Sequence, residues 1–342
     1  MANRGVRALA GAAVGVGAGL VAQHQVIKRR RRNDPEGGER FGSRRGERSR
    51  TIQLPDGAAT FIEEVGPSAP RGAVFVHGSV LRTDAWHYQM PGLGGHRLVF
   101  YDLRGHGLSI PKGDAELTIL QLAQDLEAVL DDCGLEETVI VGHSVGGMTA
   151  LELCVRRPEL MGDRIKGLVL LNTTSRPPME TIVGGTALAK VERYTRRPLD
   201  ALGDRAAYVQ RLRKILRPSD TAFMAVSVAA FGPSGSARQI DFTYDMLVDT
   251  QVGVIFDLMK AYRGLDVVDG LGGVNVPVLI VSGTHDRLTV PSASEELAEH
   301  LPKAELKVLE RCGHMSMLER HREINRLLTR FLDDHLGAPE NR

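Results

Sequence analysis

From Arg50 onward the chain alternates short, almost continuously apolar runs with longer stretches of helical period, and this alternation restricts the fold more than any other feature. Residues 73–76, 98–101, 138–141, 167–171 and 278–281 are runs of this kind. A strand with one face in water alternates apolar and polar side chains, so these runs predict strands buried on both faces. Residues 117–133 and 145–156 have helical period, and each lies between two such runs. Strand, helix, strand in that order implies right-handed crossovers and a mostly parallel sheet flanked by helices, an α/β fold. In an open sheet of this type ligands bind at the carboxyl ends of the strands.

Residues 51–54 and 59–65 alternate instead and flank Pro55-Asp56-Gly57, a hairpin signal. Between residues 173 and 275 the strand signal stops, and helical stretches at 179–194, 201–216, 221–230 and 244–263 predict a helical insertion. The alternation then resumes with the run at 278–281, a segment at 295–300, a strand at 306–309 and a last helix at 319–335. The domain reading is a core built from 51–172 and 276–335, a helical cap at 173–275, an amino-terminal segment at 1–50 and a tail at 336–342.

The 342 residues are 42% hydrophobic and 25% charged, ordinary globular usage. Lys and Arg number 43 against 42 Asp and Glu, so no global field points to nucleic acid. Cys133, Cys154 and Cys312 form no Cys-x-x-Cys pair, and there is neither a His-Glu-x-x-His nor a phosphate-binding Gly-Lys-Ser/Thr loop. Neither a disulfide framework nor a metal or nucleotide cofactor is indicated.

The basic residues are uneven. Residues 8–22 form an uncharged run rich in Ala, Gly, Val and Leu, followed by Lys28-Arg29-Arg30-Arg31-Arg32. A bilayer span needs about 20 predominantly apolar residues, so this run is short. A cleaved signal peptide does not want five basic residues just after its apolar stretch. An uncleaved anchor or interfacial helix over residues 1–32 fits better, with the cluster holding the large domain on the cytoplasmic side. A plain soluble tail is the alternative. Residues 33–50 read as a flexible tether. The insertion is also basic, with Arg193, Arg196, Arg197, Arg205, Arg211, Arg213, Lys214 and Arg217, a solvated face that would also suit an anionic surface.

Thr138 to Gly147 reads strand, Gly-x-Ser-x-Gly turn, helix start, with Ser144 at the centre. A serine on so sharp a turn stands exposed above the sheet, and glycines on either side let the backbone close around it. The following amide, of Val145, opens a helix and can stabilise a negative oxygen. Serine needs a base, and imidazole has a suitable pKa near neutrality. Among 11 histidines His314 is best placed, between a late strand and the last helix. Asp286 follows the strand ending at Val281 and is the candidate acid, while Asn172, after an earlier strand, cannot supply a carboxylate.

The order Ser144, Asp286, His314 resembles the α/β-hydrolase family over residues 51–335. Further segments carry the resemblance: His77-Gly78-Ser79 after a strand, and Asp102-Leu103-Arg104-Gly105-His106-Gly107-Leu108-Ser109. It implies that the Ser79 amide joins that of Val145 in an oxyanion hole, that Asp102 and Arg104 are structural, and that the insertion is a cap domain. It implies a cofactor-free serine esterase or lipase-like enzyme acting on a small-molecule ester through an acyl-enzyme. Haloperoxidase or perhydrolase chemistry, and cleavage of amides, thioesters or carbon–carbon bonds, use the same triad. A non-catalytic binding protein on this scaffold is the remaining alternative, although such proteins usually lose a triad residue. Position 144 being serine disfavours epoxide hydrolases and haloalkane dehalogenases, which attack through a carboxylate.

Overall fold

A computed structural model describes residues 21–93, 95–111, 117–178 and 219–339. Eight strands form one sheet: β1 (Arg48–Gln53), β2 (Ala59–Val65), β3 (Arg71–Val76), β4 (Leu98–Tyr101), β5 (Glu137–His143), β6 (Ile165–Leu171), β7 (Val278–Gly283) and β8 (Ala304–Leu309). Their spatial order is β1-β2-β4-β3-β5-β6-β7-β8. The β1–β2 and β2–β4 pairs are antiparallel, and every later pair is parallel.

The continuous apolar runs are explained by period two. In β3, Val74 and Val76 pack into one core and Ala73 and Phe75 into the other, and in β5 Ile140 divides from Val139 and Val141 in the same way. The first core is closed by α3 (Ile119–Asp132) and α4 (Val145–Arg156), through Leu122, Leu126, Ala150 and Leu153. The second is closed by the last helix, α10 (His321–Leu336), through Ile324, Leu328 and Leu332. With no residue of β3 beyond Arg71 exposed, each alternate side chain meets a helix layer.

Between β6 and β7 the described residues carry helices and no strand: α5 (Asp220–Ala230), α6 (Ala237–Asp249) and α7 (Val252–Ala261). The helices expected at 179–194 and 201–216 lie outside the described residues, as do the basic side chains from Arg193 to Arg217. The single helix expected at 244–263 is instead two. Its true start is Ser236, whose hydroxyl caps Gln239 while the Gln239 side chain returns to the Ser236 amide, a Ser-x-x-Gln capping box. It stops at Thr250, which is extended (φ −68°, ψ 133°), before Val252 restarts the turn. The segment expected at 295–300 is part of a longer helix, α8 (Pro291–His300), and the last helix is likewise preceded by a separate short one, α9 (Ser316–Glu319), with Arg320 breaking the run. Two short turns of helix at Thr83–Trp86 and Gln89–Gly92 (α2) had no periodic signal to reveal them.

The amino-terminal segment departs most from expectation. Strand β1 begins at Arg48, inside the expected tether, and residues 21–32 are a helix, α1, lying on the cap. Gln23, Ile27, Arg30 and Arg31 occupy one face of it, at i, i+4, i+7 and i+8. Ile27 is 1% exposed and joins the core that holds Phe223, Ile240 and Phe242. Arg31 makes a bidentate pair with Asp241 at 2.9 and 2.7 Å, and Arg30 donates to Ser227 Oγ (3.2 Å) and Gly235 O (3.1 Å). Both guanidinium groups lie over the Phe223 ring. Two of the five residues of the basic cluster, Arg30 and Arg31, are therefore turned toward the protein's own cap, while Lys28, Arg29 and Arg32 are exposed.

Downstream, Asp34 accepts from the Arg238 amide, Glu36 from Ser236 Oγ, and Glu39 pairs with His87. Phe41 stacks on Phe242 and meets Tyr88 edge-on. These contacts replace the loose tether read from composition. Among the described residues no helix is long and apolar enough to cross a membrane, and all but the last two residues of the 8–22 run lie outside them.

Ile27→Asp is expected to release this arm, because an unpaired carboxylate would be buried where Ile27 now packs. The arm can leave without unfolding the sheet, so the readout is local: faster trypsin cleavage within Lys28–Arg32, with little change in the main melting transition. Cleavage at the wild-type rate would refute the docking.

Candidate active site

Strand β5 ends at His143, and Ser144 stands between it and α4. Its backbone sits at φ 53°, ψ −119°, a conformation costing of order 1–3 kcal/mol for a residue with a side chain. Neighbouring bonds enforce it. The Ser144 amide donates to Leu171 O at 3.0 Å, and its carbonyl accepts from Gly147 N, Met148 N and Thr173 Oγ1.

Close approach explains the glycine two residues on. A Cβ at Gly146 would lie 2.0 Å from Val76 O and 2.9 Å from His77 O, so α4 presses backbone to backbone against the end of β3. Gly146→Ala should therefore lower stability by at least the about 1–3 kcal/mol typical of overpacking, seen as a fall in Tm. An unchanged Tm would contradict the contact.

His314 lies in the loop after β8, 5% exposed, and its Nδ1 is 2.9 Å from Asp286 Oδ2. Asp286 follows β7 and is 3% exposed. Its Oδ1 accepts from the Leu288 and Thr289 amides at 2.8 and 3.0 Å. Its Oδ2 accepts from Thr289 Oγ1 (2.8 Å) and Asn172 Nδ2 (2.9 Å). Burial alone would push this carboxyl up, but the His314 ring and the Thr289 donors outweigh it and hold the pKa at about 2. An ionised Asp286 only accepts, so His314 Nδ1 carries a proton, and the neutral form of the ring is the tautomer with its lone pair on Nε2.

His143 joins this pair to the Ser144 turn. Its Nε2 is 2.9 Å from His314 O and its ring centroid is 4.8 Å from that of His314. The partner oxygen is a carbonyl, so Nε2–H donates, and burial pushes His143 down to about 3, leaving it neutral. Ser144, Asp286 and the His314 loop are thus brought to the carboxyl ends of β5, β7 and β8.

The loop after β3 completes the cradle. A Cβ on Gly78 would meet Ser144 Cβ at 3.1 Å, which puts Gly78-Ser79 beside the serine. Leu103 N donates to His77 Nε2 at 2.9 Å, so the His77 proton is on Nδ1, which donates to Gly78 O at 2.7 Å. Burial holds His77 well below its ordinary pKa, in this neutral form. Because the peptide is planar and trans, fixing the Gly78 carbonyl also fixes the opposite direction for the Ser79 N–H. Ser79 Oγ hydrogen-bonds the Tyr262 hydroxyl from the end of the cap. Val145 is buried at the first turn of α4, where helix amides lack intrahelical acceptors.

Asp102 and Arg104 are placed as scaffolding. Asp102 accepts from Thr83 N (2.7 Å) and Leu108 N (2.8 Å), and Arg104 forks onto Asp125 (2.9 and 2.6 Å) and reaches Asp56. Three side chains that the sequence did not assign bond directly to the Asp286–His314 pair: Asn172, Thr289 and His143. Asn172 had one available signal, since it ends β6 as Ser144 ends β5, and its φ of 49° is one that Asn tolerates better than most residues. Among the described residues no three His, Cys, Asp or Glu side chains converge so as to hold a metal ion. The three cysteines are free and buried.

The chain is 28% identical over 284 residues to the non-heme chloroperoxidase CPO-A1 of Kitasatospora aureofaciens, covering 81% of this chain and 97% of that one. It is 27% identical over 285 residues to the AB hydrolase superfamily protein YisY of Bacillus subtilis, covering 82% and 97%. An esterase from Exiguobacterium antarcticum superposes with a TM-score of 0.66 at 21% identity, covering 83% of this chain and 98% of the esterase. Residues 74–321, from within β3 to the start of α10, match the profile of the alpha/beta hydrolase fold, and the chain belongs to that family of enzymes.

Proposed function

We propose that this alpha/beta hydrolase cleaves a small or medium carboxylic ester through an acyl-enzyme on Ser144. The observation that carries the reading is the strained Ser144 backbone at a helix start, joined through His143 to the buried His314–Asp286 pair. Ser144 Oγ attacks the acyl carbonyl while His314 Nε2 takes its proton and passes it to the leaving alcohol. Asp286 holds the imidazole in the tautomer that leaves Nε2 free and stabilises the imidazolium. The amides of Ser79 and Val145 receive the negative oxygen, worth about 2.7–4 kcal/mol per donor in comparable sites. Water then attacks the acyl-enzyme by the same proton path.

A fluorophosphonate probe followed by peptide mapping tests this, and Ser144 is expected to be the labelled residue. Folded protein with Ser144 unlabelled would overturn it. Nitrophenyl esters graded from acetate to laurate would then set the acyl length that the cap admits.

The chloroperoxidase relative favours one second reading, in which hydrogen peroxide rather than water attacks the acyl-enzyme and releases a peracid. Peracid formation from acetate and peroxide faster than ester hydrolysis would select it.

A further inference from the structure

Glu319 has no part in the proton path just described, yet it lies 8% exposed at the end of α9 with both carboxylate oxygens engaged. Oε1 accepts from Gly313 N and Oε2 from Gly232 N, each at 2.9 Å. Gly313 precedes His314, and Gly232 is at the root of the cap, just beyond α5. One side chain thus spans the two segments.

The surrounding backbone shows the same seam. His314 N and Met315 N both donate to Ala230 O, at 2.9 and 3.2 Å, and Ser234 Oγ donates to Arg311 O at 2.8 Å. A Cβ on Gly313 would fall 2.3 Å from Gly232 N, so the two loops touch main chain to main chain. At such a contact two amides point the same way, and a carboxylate supplies two acceptors at the right separation.

We propose that Glu319 is a positioning residue, tying the His314 loop to the root of the cap so that the imidazole is set for proton transfer only while the cap is docked. The inference rests on His314 being the base. Protonation of Glu319 would turn one oxygen into a hydroxyl and weaken one of the two ties, so the latch should also depend on pH.

The groups around Glu319 come from every neighbouring segment. His314 and the Cys312 thiol face it from its loop and Asp286 from the loop after β7, while Arg320 and Glu323, paired with each other at 2.8 Å at the start of the helix that follows, act on Cys312. The cap root contributes the Gly232 amide. Burial pushes the carboxyl up, the two amides and His314 oppose this, Asp286 adds to it, and the result is about 7. Ionised above that pH, the carboxylate accepts from both amides, and below it the cap root is less firmly held.

Glu319→Gln keeps one acceptor and removes the titration. At pH 8 its kcat on a short ester is expected to fall roughly 10- to 100-fold, the scale of a small misplacement of a catalytic group, with KM changed far less. The acid limb of wild-type kcat should be steeper than one proton, and that of the variant should follow a single ionisation. Hydrogen exchange on the unaltered protein supplies the measurement that needs no variant to fold: protection of the Gly232 and Gly313 amides, corrected for intrinsic rates, should decline between pH 8 and pH 6.

A variant with wild-type kcat and an unchanged acid limb would overturn the proposal. So would a lower kcat with the same two-proton limb, which marks a merely structural residue, or amide protection independent of pH. If instead fluorophosphonate fails to label Ser144 in wild-type protein, or His314→Ala keeps full activity, it is the hydrolase reading that falls.

Discussion

Ser144→Ala should lower kcat by about 10⁴ to 10⁶ and abolish fluorophosphonate labelling while leaving Tm within a degree or two of wild type. The size follows from the proposed triad acting as a unit: without Oγ the base would have no proton to take, and only the amides and binding would remain to accelerate water. Folding should tolerate the change because the bonds that hold residue 144 are to its main chain: its amide to Leu171 O, and its carbonyl from Gly147, Met148 and Thr173. Alanine would inherit the same positive φ and gains no new clash. A variant within tenfold of wild-type kcat on a short ester would remove Ser144 as nucleophile.

Asp286→Asn should cut kcat by roughly 10⁴. The carboxylate accepts from two amides, a hydroxyl, the Asn172 amide and His314 Nδ1. An Asn side chain has one acceptor oxygen, so its NH₂ group must face either those amides or the imidazole. Facing His314, it would donate to Nδ1 and drive the ring proton to Nε2, where a base is needed. The pH dependence of stability has a definite sign. Held at about 2 in the fold against the ordinary 3.8, Asp286 contributes stability that is complete above about 3.8 and lost as pH falls through about 2. Asp286→Asn should flatten the acid side of the Tm profile in that window. An acid limb of Tm identical to wild type, or kcat within tenfold, would point to another acid.

The sheet was legible because burial on both faces leaves a local mark, an unbroken apolar run of the kind at 98–101 and 138–141. The serine turn was equally local, since strand, glycine, serine, glycine and helix follow one another within a few residues. What escaped was packing whose partners are distant in sequence. Helix α1 shows this well: its inner face carries Gln23, Arg30 and Arg31 around a single isoleucine, so hydrophobic period could not find it, and its acceptors Asp241 and Ser227 lie far along the chain.

The sequence by itself determined the α/β order, the strained serine position and the choice of His314 and Asp286 as candidate base and acid, because each depends on residues adjacent in the chain or on position after a strand. Tertiary structure alone decided that Asp286 Oδ2 lies 2.9 Å from His314 Nδ1, and that Asn172 and Thr289 satisfy the rest of its lone pairs. It alone decided that His77 orients the Gly78 carbonyl and that Glu319 bridges two glycine amides 81 residues apart by number, Gly232 and Gly313. The physical reason is one of range. Propensity and periodicity act over a few residues, whereas a buried polar group takes whichever partner the fold brings within about 3 Å, at any separation along the chain.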